Sequence, residues 1–143
     1  MGRDHTLPAS IEFHDSTLLS IERKGASLRL LLDAYIHHWD MVDGRWKGTG
    51  WVQPVEITVD HGVMAESACL PIGLGGGALK IGDVVYSNVV PLPLVASTLA
   101  TLRLEVTSGE SLEITGLAFS IRTTGRGELC EDLPDDWAPT LAK

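Results

Sequence analysis

The sequence predicts an all-β (mainly β) protein: an antiparallel β-sandwich or curled barrel of eight to nine strands with at most one short helix. Three observations predict it. Apolar residues alternate with period two over most of the chain, no stretch sustains a helical period, and short glycine-containing segments recur between the apolar runs at hairpin spacing. A strand-rich chain of 143 residues must cover one apolar face per sheet, and stacking or curling its sheets does so. That length fits a single domain, residues 1–143, with a core large enough to hold without disulfide or metal staples.

The first two strands are "TLLSIER" from Thr17 and "SLRLLLDAYIH" from Ser27, joined by "KGA". In the second, Leu28, Leu30, Leu32, Ala34 and Ile36 share one side, which is the core side. "VDGR" at Val42–Arg45 then supplies a strong short hairpin signal, because Asp and Gly both tolerate positive φ. A two-residue loop at Asp43 and Gly44 sets a register in which partners carry numbers summing to 87. Asp40 then faces Lys47, Ile36 faces Trp51, Met41 faces Trp46, and Trp39 faces Gly48, where a ring can cover the bare glycine. A bulge near "GTG" would end that register beyond Gly48.

"WVQPVEITV" runs on to a turn at "DHG", and "VMAESACL" reads as the return strand, with Pro54 at an edge or a bulge. "GLGGGA", Gly73 to Ala78, reads as a flexible loop or bulge. It matches the dinucleotide pattern in form only, since no helix follows and no ribose-binding acid lies about twenty residues on. "ALKIGDVVY" is a small hairpin about Gly82 and Asp83, and "TLRLEVTSGESLEITGLAFSIR" a long one turning at Ser108–Glu110. Between them, Pro91 and Pro93 mark an extended connection, with Pro93 positioned to start a short helix over Leu94–Ala100. Residues 124–143 form an acidic, proline-containing tail that wraps the domain or stays partly disordered.

Charge narrows the function classes. With 19 acidic and 11 basic side chains the chain carries −8, a field that repels nucleic-acid phosphates and anionic membranes and suits a basic protein partner. The N-terminal stretch has no apolar run resembling a signal h-region, and no run anywhere has the length of a membrane span, which points to the cytoplasm. The opening "MGRDHT" fits the loose myristoylation pattern and is set aside as a six-residue match. Cys69 and Cys130 lack CxxC spacing and read as reduced and buried.

The candidate binding surface is the far face of the "DG" hairpin, where Tyr35, His37, Trp39, Met41 and Trp46 project together. Aromatic rings and methionine form contact patches for a protein, for a second copy of the same chain, or for a sugar. The expected function is therefore a non-enzymatic interaction module needing no cofactor. A metal-binding protein or metal-dependent enzyme is the alternative. His37 and His38 point to opposite faces of a strand and cannot grip one ion together, so the metal alternative rests on His38 and Asp40 with His14 or His61 arriving from elsewhere. A carbohydrate-binding module using the rings of Trp39 and Trp46 is the other.

"F-H-D-S-x-L-x-x-I", from Phe13 to Ile21, then a glycine turn and an L-x-L strand, resembles the opening of small uncharacterised bacterial β-rich proteins, some of them similar to immunity proteins of toxin systems. The resemblance covers about the first quarter of the chain and implies stoichiometric binding of a protein partner. His14, Asp15 and Ser16 are adjacent and therefore poor candidates for a catalytic triad, whose members must meet in space. Asp15 and Ser16 are expected to accept backbone N–H bonds at a turn leading into a strand from Thr17.

Overall fold

A computed structural model describes residues 9–64 and 69–134. Among them lie twelve strands and no helix: β1 (Ala9–Lys24), β2 (Ser27–Val42), β3 (Arg45–Asp60), β4 (Val63–Met64), β5 (Ile72–Ile81), β6 (Val84–Ser87), β7 (Val89–Leu92), β8 (Leu94–Ala96), β9 (Ala100–Val106), β10 (Ser111–Gly116), β11 (Ala118–Thr123) and β12 (Glu128–Leu133). All pair antiparallel in one sheet ordered β4-β10-β9-β5-β1-β2-β3-β11-β8, with β7 beside β1, β6 beside β5 and β12 beside β3. The sheet curls without closing, so it is not a barrel. Its two arms share one core, to which β1, β2 and β3 bring Phe13, Leu30 and Ile57, and β5, β9, β10 and β11 bring Leu79, Leu102, Ile114 and Phe119.

The predicted β2–β3 hairpin runs in unbroken register from Val42↔Arg45 to Ser27↔Asp60, including Asp40↔Lys47, Trp39↔Gly48 and Ile36↔Trp51. Asp43 and Gly44 have φ of 52° and 78°, the left-handed pair that such a two-residue loop requires. No bulge interrupts this pairing at "GTG". The predicted inner row of Leu28, Leu30, Leu32, Ala34 and Ile36 is buried.

The strand count exceeds eight or nine because two of the three long strands, β1 and β3, each share one flank between two shorter partners. Along β3, β11 pairs with Val55–Asp60 and β12 with Gly48–Val52. Pro54 falls in the interval between them, where its missing N–H breaks no ladder bond. Five chain steps from Thr123 to Glu128 answer three from Val55 to Val52, so the surplus residues loop outward there. The acidic segment beyond Thr124 thus continues the line of β11 as a strand, while residues 135–143 lie outside the described part.

Three expectations are corrected. The helix over Leu94–Ala100 does not form: Leu94–Ala96 pairs with β11, and Ala100 opens β9, where alternating burial of Ala100, Leu102 and Leu104 outweighs a helix of under two turns. The glycine tract is strand β5, with one shift between Leu74 and Gly76 in its pairing to β9, not a flexible loop. Cys69 and Cys130 are free thiols but exposed. Of "VMAESACL" only Val63 and Met64 form strand, and 65–68 lie outside the described residues.

Candidate functional site

The F-H-D-S stretch is not a turn before a strand but a large bulge inside one. Glu12 pairs with Tyr35 and Thr17 with Asp33, so the four residues from Phe13 to Ser16 stand opposite Ala34 alone. Each has a distinct part in making the bulge. Phe13 turns inward and is fully buried, with its backbone N–H donating to the Asn88 carbonyl at 2.9 Å. Its ring occupies the space a side chain on Gly77 would need: a Cβ there would lie 2.8 Å from the ring and 2.9 Å from the Arg103 carbonyl. This close approach is one reason the β5 tract needs glycine.

Asp15 takes a left-handed φ of 75°, which sends the chain back toward β2. Ser16 is buried and fills the gap this leaves in the ladder. Its hydroxyl donates to the Glu12 carbonyl at 2.7 Å and accepts the Tyr35 N–H at 3.0 Å. Ser16→Ala removes both partners at once, and each buried backbone group left unpaired costs about 1–3 kcal/mol. A loss of at least about 1 kcal/mol in urea unfolding is expected; a smaller loss would mean that water replaces the hydroxyl.

The bulge lifts His14 and Asp15 outward beside Glu12. His14 Nδ1 lies 3.3 Å from Asp15 Oδ2 and 3.8 Å from Glu12 Oε2, and all three ligand-type atoms fall within 4.8 Å of one another. Glu12 is held from behind: its Oε1 lies 2.8 Å from His37 Nε2, and Asn88 donates to its Oε2 at 3.5 Å. Asn88, itself at φ 65°, also accepts the His14 N–H on its side-chain oxygen at 2.9 Å. Residues from β1, β2 and the β6–β7 link thus converge on one point. His14 and Asp15 are more than half exposed, so the outer side of the cluster is open to solvent.

Beside it, Tyr35 packs edge-on against His37 at 5.3 Å and donates its hydroxyl to Glu131 of β12. Burial, then the carboxylates of Glu131 and Glu12, push the phenol well above its usual pKa, so it stays a donor throughout the neutral range.

The predicted site residues are distributed differently from expectation. Tyr35, His37, Trp39, Met41 and Trp46 do share the outer face, but it is not an open aromatic patch. Tyr35 and Trp39 are buried with Leu133 in a small second core, and Trp46 packs against it half-buried. Trp39 lies flat on Gly48, as the register implies, and Tyr35 lies likewise over Gly50. Trp39 therefore offers no free ring face to a sugar.

The metal quartet does not assemble. His38 packs edge-on against Trp51 at 5.6 Å and lies 3.3 Å from Gln53 Oε1, Asp40 is exposed near the hairpin end, and His61 is exposed at φ 54° in the turn after β3. Only His14 enters a cluster, with Glu12 and Asp15, and among the described residues it is the one group of three or more such ligand types. Sequence reading did not single out Glu12. The signal was present, since Glu12 and His14 stand two apart on a strand and share a face.

Among the described residues no helix is long and apolar enough to cross a membrane. No protein-family model, curated protein or solved structure matches the chain.

Proposed function

We propose that this protein acts by stoichiometric binding, and that the Glu12–His14–Asp15 bulge is the surface that takes a cationic side chain of a basic protein partner. The observation that supports this reading is the bulge itself. It raises the Asp15 carboxylate and the His14 imidazole out of the sheet beside Glu12, which His37 and Asn88 already orient. A lysine or arginine arriving there replaces water at preoriented oxygens, and charge-assisted bonds of this kind are stronger than neutral ones. The net charge of −8 speeds the approach of such a partner. The hairpin aromatics, spent on the protein's own fold, act as the rigid floor beside the site.

The test is affinity capture from a lysate of the source cells with the full chain as bait, beside a Glu12→Gln/Asp15→Asn double variant. Recovery of a basic protein by the wild type, with at least tenfold weaker binding by the variant at low salt, is the expected result. Capture of no basic protein, or equal capture by both, overturns the proposal.

One observation favours a second reading, a divalent cation at the same place. Ligand atoms about 2.1 Å from a tetrahedral ion stand about 3.4 Å apart, close to the 3.3 and 3.8 Å separations around His14 Nδ1. Calorimetric titration with zinc and manganese separates the two readings. One-to-one binding that Glu12→Gln/Asp15→Asn abolishes favours the metal, and flat thermograms remove it.

A further inference from the structure

The six residues of β12 form an edge strand. Five of the six are exposed, and among the described residues the strand pairs with β3 alone, with an irregularity between Leu129 and Glu131. Two side chains hold it to the outer face: Leu133, 5 % exposed in the second core with Tyr35 and Trp39, and Glu131, which accepts the Tyr35 hydroxyl. Beside it in the sheet, the outer face of β3 offers a seat for these two side chains. Gly48 and Gly50 leave the surface of β3 bare, and the rings of Trp39 and Tyr35 fill that space and make its floor. This is how strand-adding recognition sites are built, with a ladder edge for affinity and side-chain pockets two residues apart for specificity.

We propose that the Gly48–Val52 edge of β3, floored by Tyr35 and Trp39, is a strand-acceptor site that exchanges its own β12 for the β12 of a second copy of this chain. The chemistry of the occupant is written in the seated strand: a carboxylate for the Tyr35 hydroxyl and, two residues later, an aliphatic side chain for the ring pocket. A second copy offers that pattern in identical register, so an exchanged pair keeps the β12 contacts of the closed form and gives up only those of the Thr124–Gly127 link. What opposes exchange is the effective concentration of the tethered strand, on the order of millimolar for a short link. The chain is therefore closed when dilute and exchanges as its own concentration approaches that range.

The probe is a fluorescein-labelled peptide of residues 127–134 with serine for Cys130, titrated into the full-length wild type and into full-length Leu133→Ala. Weakening the resident anchor must open the site, so the peptide is expected to bind the variant at least tenfold more tightly than the wild type. A peptide with alanine at the position of Leu133 is expected to lose that binding. Light scattering of the wild type near millimolar concentration is expected to show a dimer that reverts on dilution.

A folded Leu133→Ala chain that ignores the peptide overturns the proposal, as does a wild type that stays monomeric at those concentrations. If Leu133→Ala does not fold, hydrogen exchange on the wild type decides. Amides of 128–133 exchanging at least a hundredfold faster than those of 118–123 support an exchangeable strand, and equal protection overturns it. Capture of a foreign acid-x-aliphatic peptide in preference to the chain's own segment overturns the choice of occupant.

Discussion

Phe13→Ala is expected to lower the unfolding free energy by about 3–5 kcal/mol, a large share of the roughly 5–15 kcal/mol that domains of this size possess. The cost belongs at the upper end for a local reason. Cavities are less costly when neighbours move in, but the neighbour across from this ring is Gly77, which has no side chain to contribute, and the Arg103 backbone behind it is held in the β5–β9 ladder. The same change removes the inward anchor of the bulge that positions His14 and Asp15. Urea unfolding followed by far-ultraviolet circular dichroism measures the loss, and Phe13→Leu should recover more than half of it. A penalty under about 1 kcal/mol would mean that the ring does not fill this space.

Gly48→Ala and Gly50→Ala are expected to destabilise by about 1–3 kcal/mol each, and the sign is the informative part. In an ordinary strand interior, glycine is the poorer residue by roughly 0.5–1 kcal/mol and alanine would help. Here a Cβ on Gly48 would lie 2.5–2.7 Å from three atoms of the Trp39 ring, and one on Gly50 would meet the Tyr35 hydroxyl and lie 2.7 Å from Cζ. Both rings must lift, and Leu133 and Glu131 then lose their seats on them. Chemical unfolding gives the penalty, and a red shift of tryptophan emission in the native state reports the displaced indole. A rise in stability for either variant would mean that the rings do not lie on the glycines.

Much of the fold is legible in local chemistry. Period-two alternation marks the strands, and Asp43–Gly44 sets a register that holds over all sixteen pairs of β2 and β3. From that register follow the buried row from Leu28 to Ile36 and the seating of Trp39 on Gly48. Which outward residues stay wet is not legible in this way. Tyr35, Trp39 and Trp46 read as an open patch because nothing near them in sequence covers them, yet Leu133, more than ninety residues on, closes over two of them. The glycine tract reads as a flexible loop or bulge because glycine is a poor strand former, and one register shift does fall there, between Leu74 and Gly76. It is a strand because it pairs with β9, and it keeps glycine at position 77 because Phe13, sixty-four residues earlier, needs the room.

The candidate site divides along the same line. Glu12, His14, Asp15 and Ser16 are neighbours in sequence, so their meeting is a local matter once the strand is known to bulge. Whether it bulges is decided at a distance, by Asn88 taking the N–H groups of Phe13 and His14 and by Gly77 admitting the ring. By itself, the sequence determined the strand class, the turn at Asp43–Gly44 and the inner face of β2, because each depends on backbone preferences and alternation within a few residues. Only the tertiary structure decided that the aromatic face is covered, that His38, Asp40 and His61 stand apart from His14, and that β1 opens a bulge beside Glu12. Those outcomes depend on which distant strand lies alongside, and pairing across long separations leaves no periodic trace in the chain.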